Sequence, residues 1–262
     1  LLRTNLDNFV VGKWVGIKSV AVYGIPGQLI HYMTTIINSG MGVLTPRFAV
    51  IHGQKKSGEI KNLFKNGMYV SSSFAFCACI FIFLFGERFI ELWVGEGFKE
   101  AIPVLFILGA SNMLAVAQVP AYSILMAYNK HKPFAIVTLF EAIINVGISI
   151  GLAVRMGIVG VALGTMIPLL LVKIVIQPGY VARVVQINWL QYWKPILIPM
   201  TLAASIIAAA KALGFNETIA GLRMINLLIS FGFFAIVYFA TLTGLSSTFG
   251  FLLLSLPTLF RT

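Results

Sequence analysis

The chain has 262 residues, of which 59% are apolar and 10% charged, with a formal net charge of +11. A soluble domain carries roughly a quarter charged residues and could not hide this much apolar surface, so the composition excludes a water-soluble fold. The apolar residues come in blocks of about 20, the length that takes a helix across roughly 30 Å of hydrocarbon. They do not alternate with polar residues as barrel strands do, so the fold class is all-α: a polytopic transmembrane helical bundle.

In chain order, the first helical segment covers residues 1–12. It opens without an initiator Met or a signal peptide and reads as the latter part of a helix, so a fragment lacking its N-terminal half is expected. The second span, 19–50, is interrupted by Pro26, Gly27, Gly40, Gly42 and Pro46, which predict kinks. The polar stretch HGQKKSGEIKNLFKNG is expected to be a loop, and the third span follows over 64–86. The fourth span, 100–127, has Pro103 near its first turn; the loop YNKHKP then leads to Pro133 and a fifth span ending near 154. The junction RMGIVG allows only a tight antiparallel return into a sixth span, 157–177, which Pro178-Gly179 is expected to stop. The segment ARVVQINWLQYWK reads as a loop with an interfacial aromatic cluster of Trp189, Tyr192 and Trp193. Spans at 195–213 and 218–243 follow, and the tail LLLSLPTLFRT is expected to lie along the interface.

Basic residues are mostly scattered one or two per loop, the pattern of topology signals and headgroup contacts; no nucleic-acid-binding module is present. The exception is a dense cluster, Lys55, Lys56, Lys61 and Lys65. It places the loops at 51–65, 128–133 and 182–194, and the C-terminus, in the cytoplasm. Cys77 and Cys79 sit on different helix faces within an apolar block and read as buried free thiols. There is no HExxH, no Cys/His metal set and no Ser/His/Asp constellation. The Gly-rich segments GIVGVALG and SGMGVLTP lack the Gly-Lys-Ser/Thr ending of a phosphate loop, so no cofactor is expected. Gly160 and Gly164 form a GxxxG pair suited to close helix packing.

The succession NLDNFVVGKWVGIKSVAVYGI, TPRFAVIHGQKKSGEIKNL, IELWVGEGF, MAYNKHKP and GIVGVALGT resembles the polysaccharide-export branch of the superfamily that holds the MATE drug exporters and the lipid II flippase. No one motif is specific; their order, spacing and coverage of nearly the whole chain carry the resemblance. It implies two lobes around a central cavity. This chain would supply the C-terminal lobe (1–180) and two additional transmembrane helices with a cytoplasmic tail (181–262), the N-terminal lobe being missing. The implied function is flipping of an undecaprenyl-pyrophosphate-linked oligosaccharide across a bacterial inner membrane, driven by a proton or sodium ion, without enzymatic activity. Two alternatives are a cation-coupled drug exporter, which favours an acidic cavity, and a glycan polymerase or glycosyltransferase. The latter needs a large extracytoplasmic catalytic loop or a DxD-like motif, and neither is present. A membrane scaffold without transport activity is a further reading.

A pyrophosphate crossing the bilayer needs counter-charges in a wet cavity, so intramembrane ionisable residues are the candidates. Lys173 reads either as a phosphate contact or as a side chain snorkelling to the headgroups. Glu141 falls at similar depth on the neighbouring span, and the two together read as a coupling switch or a structural ion pair. Arg3 and Asp7, spaced i, i+4, can pair along one face of a helix that the resemblance places at the cavity. His31 shares a face with Gln28, which can hydrogen-bond to it, and Asn38 lies further along the same span. Asn112, Gln118 and Asn145 read as interhelical hydrogen-bonding residues.

Overall fold

The computed structural model describes the backbone of residues 2–249 and the side chains of residues 6–215, 218–219 and 221–245. Among the described residues every regular element is helical, as hydrocarbon demands of a backbone that cannot bond to water. Helix α1 (Leu2–Val10) runs into a π-helical turn, Val11–Val15, and reverses at Gly16 into α2 (Ile17–Met41). Gly16 takes φ 137° and ψ 154°, a conformation strained for any side chain, and so the chain returns without a loop. α2 holds Pro26 in its interior and ends before Gly42; α3 (Leu44–Gly53) follows with Pro46 in its first turn, where the missing N–H is not needed. The single span expected over 19–50 is therefore two helices.

α4 (Ser57–Ile80) begins well inside the stretch expected to be a loop. Glu59 lies in its first turn, where a negative charge complements the helix N-terminus, so the helix starts before its apolar block does. A π-helical turn, Phe81–Phe85, leads into α5 (Gly86–Val94). α6 (Ala101–Ala117) and α7 (Val119–Ala127) form one span broken at Gln118, two residues before Pro120.

α8 (His131–Leu171) is a hairpin of two arms, because Gly157 at φ 58° and ψ −138° turns the chain back where RMGIVG predicts it. The arms touch backbone to backbone. A Cβ added to Gly164 would lie 2.6 Å from both the N and Cα of Ser149, and one on Gly160 2.6 Å from the carbonyl carbon of Leu152. The GxxxG pair thus serves this hairpin. A π-helical turn, Val172–Ile176, continues into α9 (Gln177–Val185). Pro178 does not stop the helix as expected: it stands in the first turn after the widened π segment, which accommodates the ring and asks for no N–H there.

Gln186 in the left-handed region (φ 57°) ends α9. Asn188 then starts α10 (Trp189–Ala212) with a capping box, its Oδ1 accepting from the Gln191 N–H at 2.8 Å. The loop expected over 182–194 shrinks to a few residues. α11 (Phe215–Ala220) and α12 (Met224–Phe249) complete the chain; the tail expected along the interface lies outside the described residues.

Five stretches among the described residues are long and apolar enough to cross a bilayer: Ser57–Val94, Ala101–Ala127, His131–Val185, Trp189–Ala212 and Met224–Leu245. His131–Val185 spans 55 residues and, reversing at Gly157, supplies two passes. α4 is the most enclosed helix and packs on α6 and α10; α12 is the most peripheral. The Ser72 hydroxyl lies 2.8 Å from the Pro195 carbonyl oxygen. That carbonyl has no helical donor, because the residue one turn on is Pro199, so a neighbouring helix satisfies it. The ring of Phe85 packs on those of Phe215 of α11 and Phe231 and Phe234 of α12 at 5.7, 5.9 and 5.8 Å, which docks both helices.

The two ends of the bundle differ. At the lysine-rich end the His52 ring stacks on Tyr128 at 3.9 Å, and the Tyr180 hydroxyl donates to the Lys130 carbonyl at 2.9 Å. At the other end Arg88 donates through Nε and Nη2 to the Leu222 carbonyl at 3.2 Å and pairs with Glu91 at 3.2 Å. Cys77 and Cys79 are buried and free.

Candidate functional site: a buried carboxylate behind a polar helix face

The α1–α2 hairpin and the α8 hairpin lie side by side with their turns together: Val15 Cγ1 is 3.8 Å from where a Cβ on Gly157 would stand. About two helical turns below, roughly 12 Å of rise, residues from all four helical arms meet at one depth. Asp7 is at the centre, only 4% exposed. Its Oδ2 accepts from the Tyr23 hydroxyl of α2 at 3.1 Å and from the Thr165 hydroxyl at 2.9 Å. Thr165 in turn accepts from Asn145 Nδ2 at 3.1 Å. The Ser149 hydroxyl closes the cluster, 3.3 Å from Asn145 Oδ1 and 3.4 Å from the Val161 carbonyl oxygen. The backbone contact at Gly164 is what brings Ser149 and Thr165 this near one another. A carboxylate, an amide, three hydroxyls and a carbonyl present oxygen to one small region, a donor set suited to a proton or a hard cation. Among the described residues no group of three or more His, Cys, Asp or Glu side chains could hold a metal ion.

α2 separates two environments. One face buries Tyr23, Pro26, Leu29, Ile30, Ile37 and Met41 against the bundle. The other exposes Gln28, His31, Thr35 and Asn38, spaced three, four and three residues apart, in one stripe. The hydroxyls of neighbouring Thr34 and Ser39 return to the helix's own carbonyls, of His31 and Thr35, at 3.0 and 2.8 Å. Tyr32, 54% exposed, stands beside the stripe with its ring centroid 6.3 Å from that of His31. The hydrogen bond that spacing allows between Gln28 and His31 is not formed. Burying such groups against lipid tails costs several kcal/mol each, so this face looks onto water or protein. The lipid-facing helices look different: the first arm of α8 exposes Ile136, Leu139, Phe140, Ile143 and Ile144.

A second polar chain ties α10 to the rest. Lys173, in the π-helical turn, donates to Gln177 Oε1 at 2.6 Å and lies 5.6 Å from the Phe134 ring centroid. Gln177 Nε2 donates to the Gln118 carbonyl at 3.4 Å, and the Tyr192 hydroxyl of α10 donates to Gln118 Oε1 at 2.7 Å. Tyr192 is fully buried and is no interfacial anchor, because the first turn of α10 is already inside the bundle. Glu141 is buried on the first arm of α8, as far before Gly157 as Lys173 is after it, so the two share a depth. The side chain of Arg3, the partner expected for Asp7, lies outside the described residues.

The profile of the MatE family matches residues 1–150, from α1 into the first arm of the α8 hairpin. The chain belongs to the MatE family. Within this MatE chain, 129 residues are 30% identical to an uncharacterized membrane protein, EpsK, of Bacillus subtilis, covering 48% of the chain and 26% of that protein. The teichuronic acid biosynthesis protein TuaB of the same organism is 24% identical over 206 residues, 78% of the chain and 42% of TuaB. A probable low-salt glycan biosynthesis flippase, Agl15 of Haloferax volcanii, is 22% identical over 238 residues, 91% of the chain and 49% of Agl15. The MatE chain spans less than half the length of each of these relatives. No solved structure matches it.

Of the residues singled out by sequence, Asp7 and Asn145 meet in one network and His31, Gln28 and Asn38 share the outer face of α2. Lys173 and Glu141 lie nearer the lysine-rich end. Gln118 joins helices as expected, whereas Asn112 donates to the Leu108 carbonyl of its own helix at 2.8 Å. Sequence reasoning missed Tyr23, Ser149 and Thr165. Tyr23 was in view only as part of a family pattern; the other two are common small polar residues with nothing to mark them before the hairpin is folded.

Proposed function

We propose that the full-length protein translocates a lipid-linked glycan across a bacterial inner membrane, residues 1–180 forming one lobe and 181–262 two additional helices. The observation that carries the reading is the outer face of α2. α2 packs on α6 and α4, which belong to bilayer-crossing stretches, and a polar stripe on its outer side needs a wet space beside it; in a two-lobed transporter that space is the central cavity. The N-terminal half, which the relatives' greater length implies, forms the opposite wall. The names of TuaB and Agl15 support glycan biosynthesis as the setting.

Asp7 is the ion-responsive group in this reading. A proton or sodium ion taken up among Asp7, Thr165 and Asn145 changes what the Tyr23 hydroxyl meets, and Tyr23 belongs to the helix that lines the cavity. Lys173 contacts the pyrophosphate near the cytoplasmic headgroups, with Glu141 at its depth setting the local charge. An apolar groove of about 370 Å³ between α4, α6, the second arm of α8 and α10 suits the hydrocarbon of a lipid carrier. It carries on through Leu114, Ile174 and Met200 into a second hollow of about 350 Å³ that reaches Trp189 and Trp193. The cation-exporter alternative asks for an acidic cavity, and the α2 stripe holds no acid.

The test uses full-length protein in proteoliposomes loaded with undecaprenyl-pyrophosphate-linked oligosaccharide. An impermeant glycan-binding probe reports translocation, and a cationic dye is the control. Glycolipid movement that responds to a proton or sodium gradient, and loses that response in Asp7→Asn, is expected. Dye movement without glycolipid movement would replace the reading by the exporter.

A further inference from the structure

We infer that the outer face of α2 is a sugar-binding stripe for uncharged glycan units, with Tyr32 as the stacking platform and Gln28, His31, Thr35 and Asn38 as hydrogen-bonding partners. The inference rests on the reading that α2 faces a water-filled cavity in the full-length protein.

Four features support it. The stripe from Gln28 to Asn38 rises roughly 15 Å along the helix, so it contacts an extended chain of sugar rings rather than one small molecule. Two amides, an imidazole and a hydroxyl each donate and accept, as sugar hydroxyls do, and none of these four side chains is taken up by a hydrogen bond among the described residues. The ring of Tyr32 is 54% exposed beside the polar stripe, one turn before the 73% exposed Ile36, which gives the apolar C–H face of a pyranose a flat partner and leaves the phenol for solvent or a hydroxyl. Finally, between Lys18 and Arg47 the chain holds no Asp, Glu, Lys or Arg. A carboxylate-bearing sugar seated there would lose hydration without gaining a counter-charge, so the stripe selects against uronic acids.

The experiment measures binding of two soluble trisaccharides to the full-length protein in nanodiscs, by saturation-transfer NMR. One is a neutral N-acetylhexosamine trisaccharide, the other a trisaccharide of uronic acids. Binding of the neutral sugar is expected, weakened about tenfold in Tyr32→Ala, the size of an aromatic contact removed from an interface, and restored in Tyr32→Trp. Asn38→Ala and Gln28→Ala, both exposed and so harmless to folding, are expected to weaken it additively. Equal or tighter binding of the uronic trisaccharide, no binding of either, or indifference to Tyr32→Ala would overturn the stripe. Glycolipid translocation is followed in parallel: if it persists while Tyr32→Ala leaves trisaccharide binding unchanged, the stripe is wrong and the flippase reading stands. If trisaccharide binding behaves as expected and no glycolipid moves, the flippase reading is wrong and the stripe stands.

Discussion

Replacing Gly164 by alanine tests whether the two arms of the α8 hairpin touch at their backbones. The added Cβ would stand 2.6 Å from the N and Cα of Ser149, atoms that cannot rotate away, so the arms must separate or slip. Overpacking of this kind costs about 1–3 kcal/mol, and the upper end applies because backbone must move. Alanine gains back about 1 kcal/mol of helix propensity, leaving a net loss of about 2 kcal/mol. Gly151, on the first arm of the same hairpin, is the control: a Cβ there meets nothing within 4 Å, so Gly151→Ala keeps only the propensity gain. The two variants are therefore expected to shift the midpoint of thermal unfolding in opposite directions, about 6–10 °C apart for a chain of this size. Tryptophan fluorescence of the purified protein in detergent reads the difference. Equal midpoints for Gly164→Ala and Gly151→Ala would refute the close approach and, with it, the alignment of Asn145 and Ser149 with Thr165.

Tyr23→Phe removes the hydroxyl that joins α2 to Asp7 and keeps the ring. Glycolipid transport in proteoliposomes is expected to continue with its dependence on the ion gradient reduced, and an unchanged dependence would detach Tyr23 from coupling. The Ser72 hydroxyl shares its one proton among the Pro195 carbonyl and the Met68 and Tyr69 carbonyls of its own helix, at 2.8, 2.7 and 3.0 Å, so Ser72→Ala is expected to cost about 1 kcal/mol, whereas Ser73→Ala, whose hydroxyl bonds to the Tyr69 carbonyl of its own helix, is expected to be near neutral; chemical-denaturation midpoints in detergent compare them. Tyr192→Phe strips a buried donor from Gln118 and is expected to lower stability by about 1–2 kcal/mol and to speed hydrogen exchange in the first turns of α10.

How much of this was legible in the sequence depends on how local the cause is. The passes follow from apolar blocks, and the α8 return follows from RMGIVG, because a junction that short admits one geometry. Helix ends were misjudged where polar residues continue a helix beyond its apolar block, as at Ser57, or where a π-helical turn tolerates a proline, as at Pro178. Asp7 was a visible candidate because an acid in an apolar helix is costly, yet its partner Thr165 is 158 residues away and emerges only once two hairpins pack. The α2 stripe was half visible: Gln28, His31 and Asn38 are conspicuous in an apolar block, but a helix shows which side of it is buried only when its neighbours are in place.

The position of Asp7 explains why these two features belong together. A buried carboxylate held only by residues of its own hairpin would stabilise that hairpin and nothing else. Asp7 instead accepts from Tyr23 on one hairpin and from Thr165 on the other, so its protonation or ion occupancy acts on the fit between two rigid units. One of those units is the α1–α2 hairpin, which carries the polar stripe on the far side of α2, and a movement that parts Asp7 from Thr165 turns Tyr23, Gln28, His31 and Asn38 together. The backbone contact at Gly164 keeps the other unit from yielding in its place. In the proposed flippase, a change of charge at Asp7 would reach the α2 wall of the cavity through this fit, with no contact between the ion and the cargo.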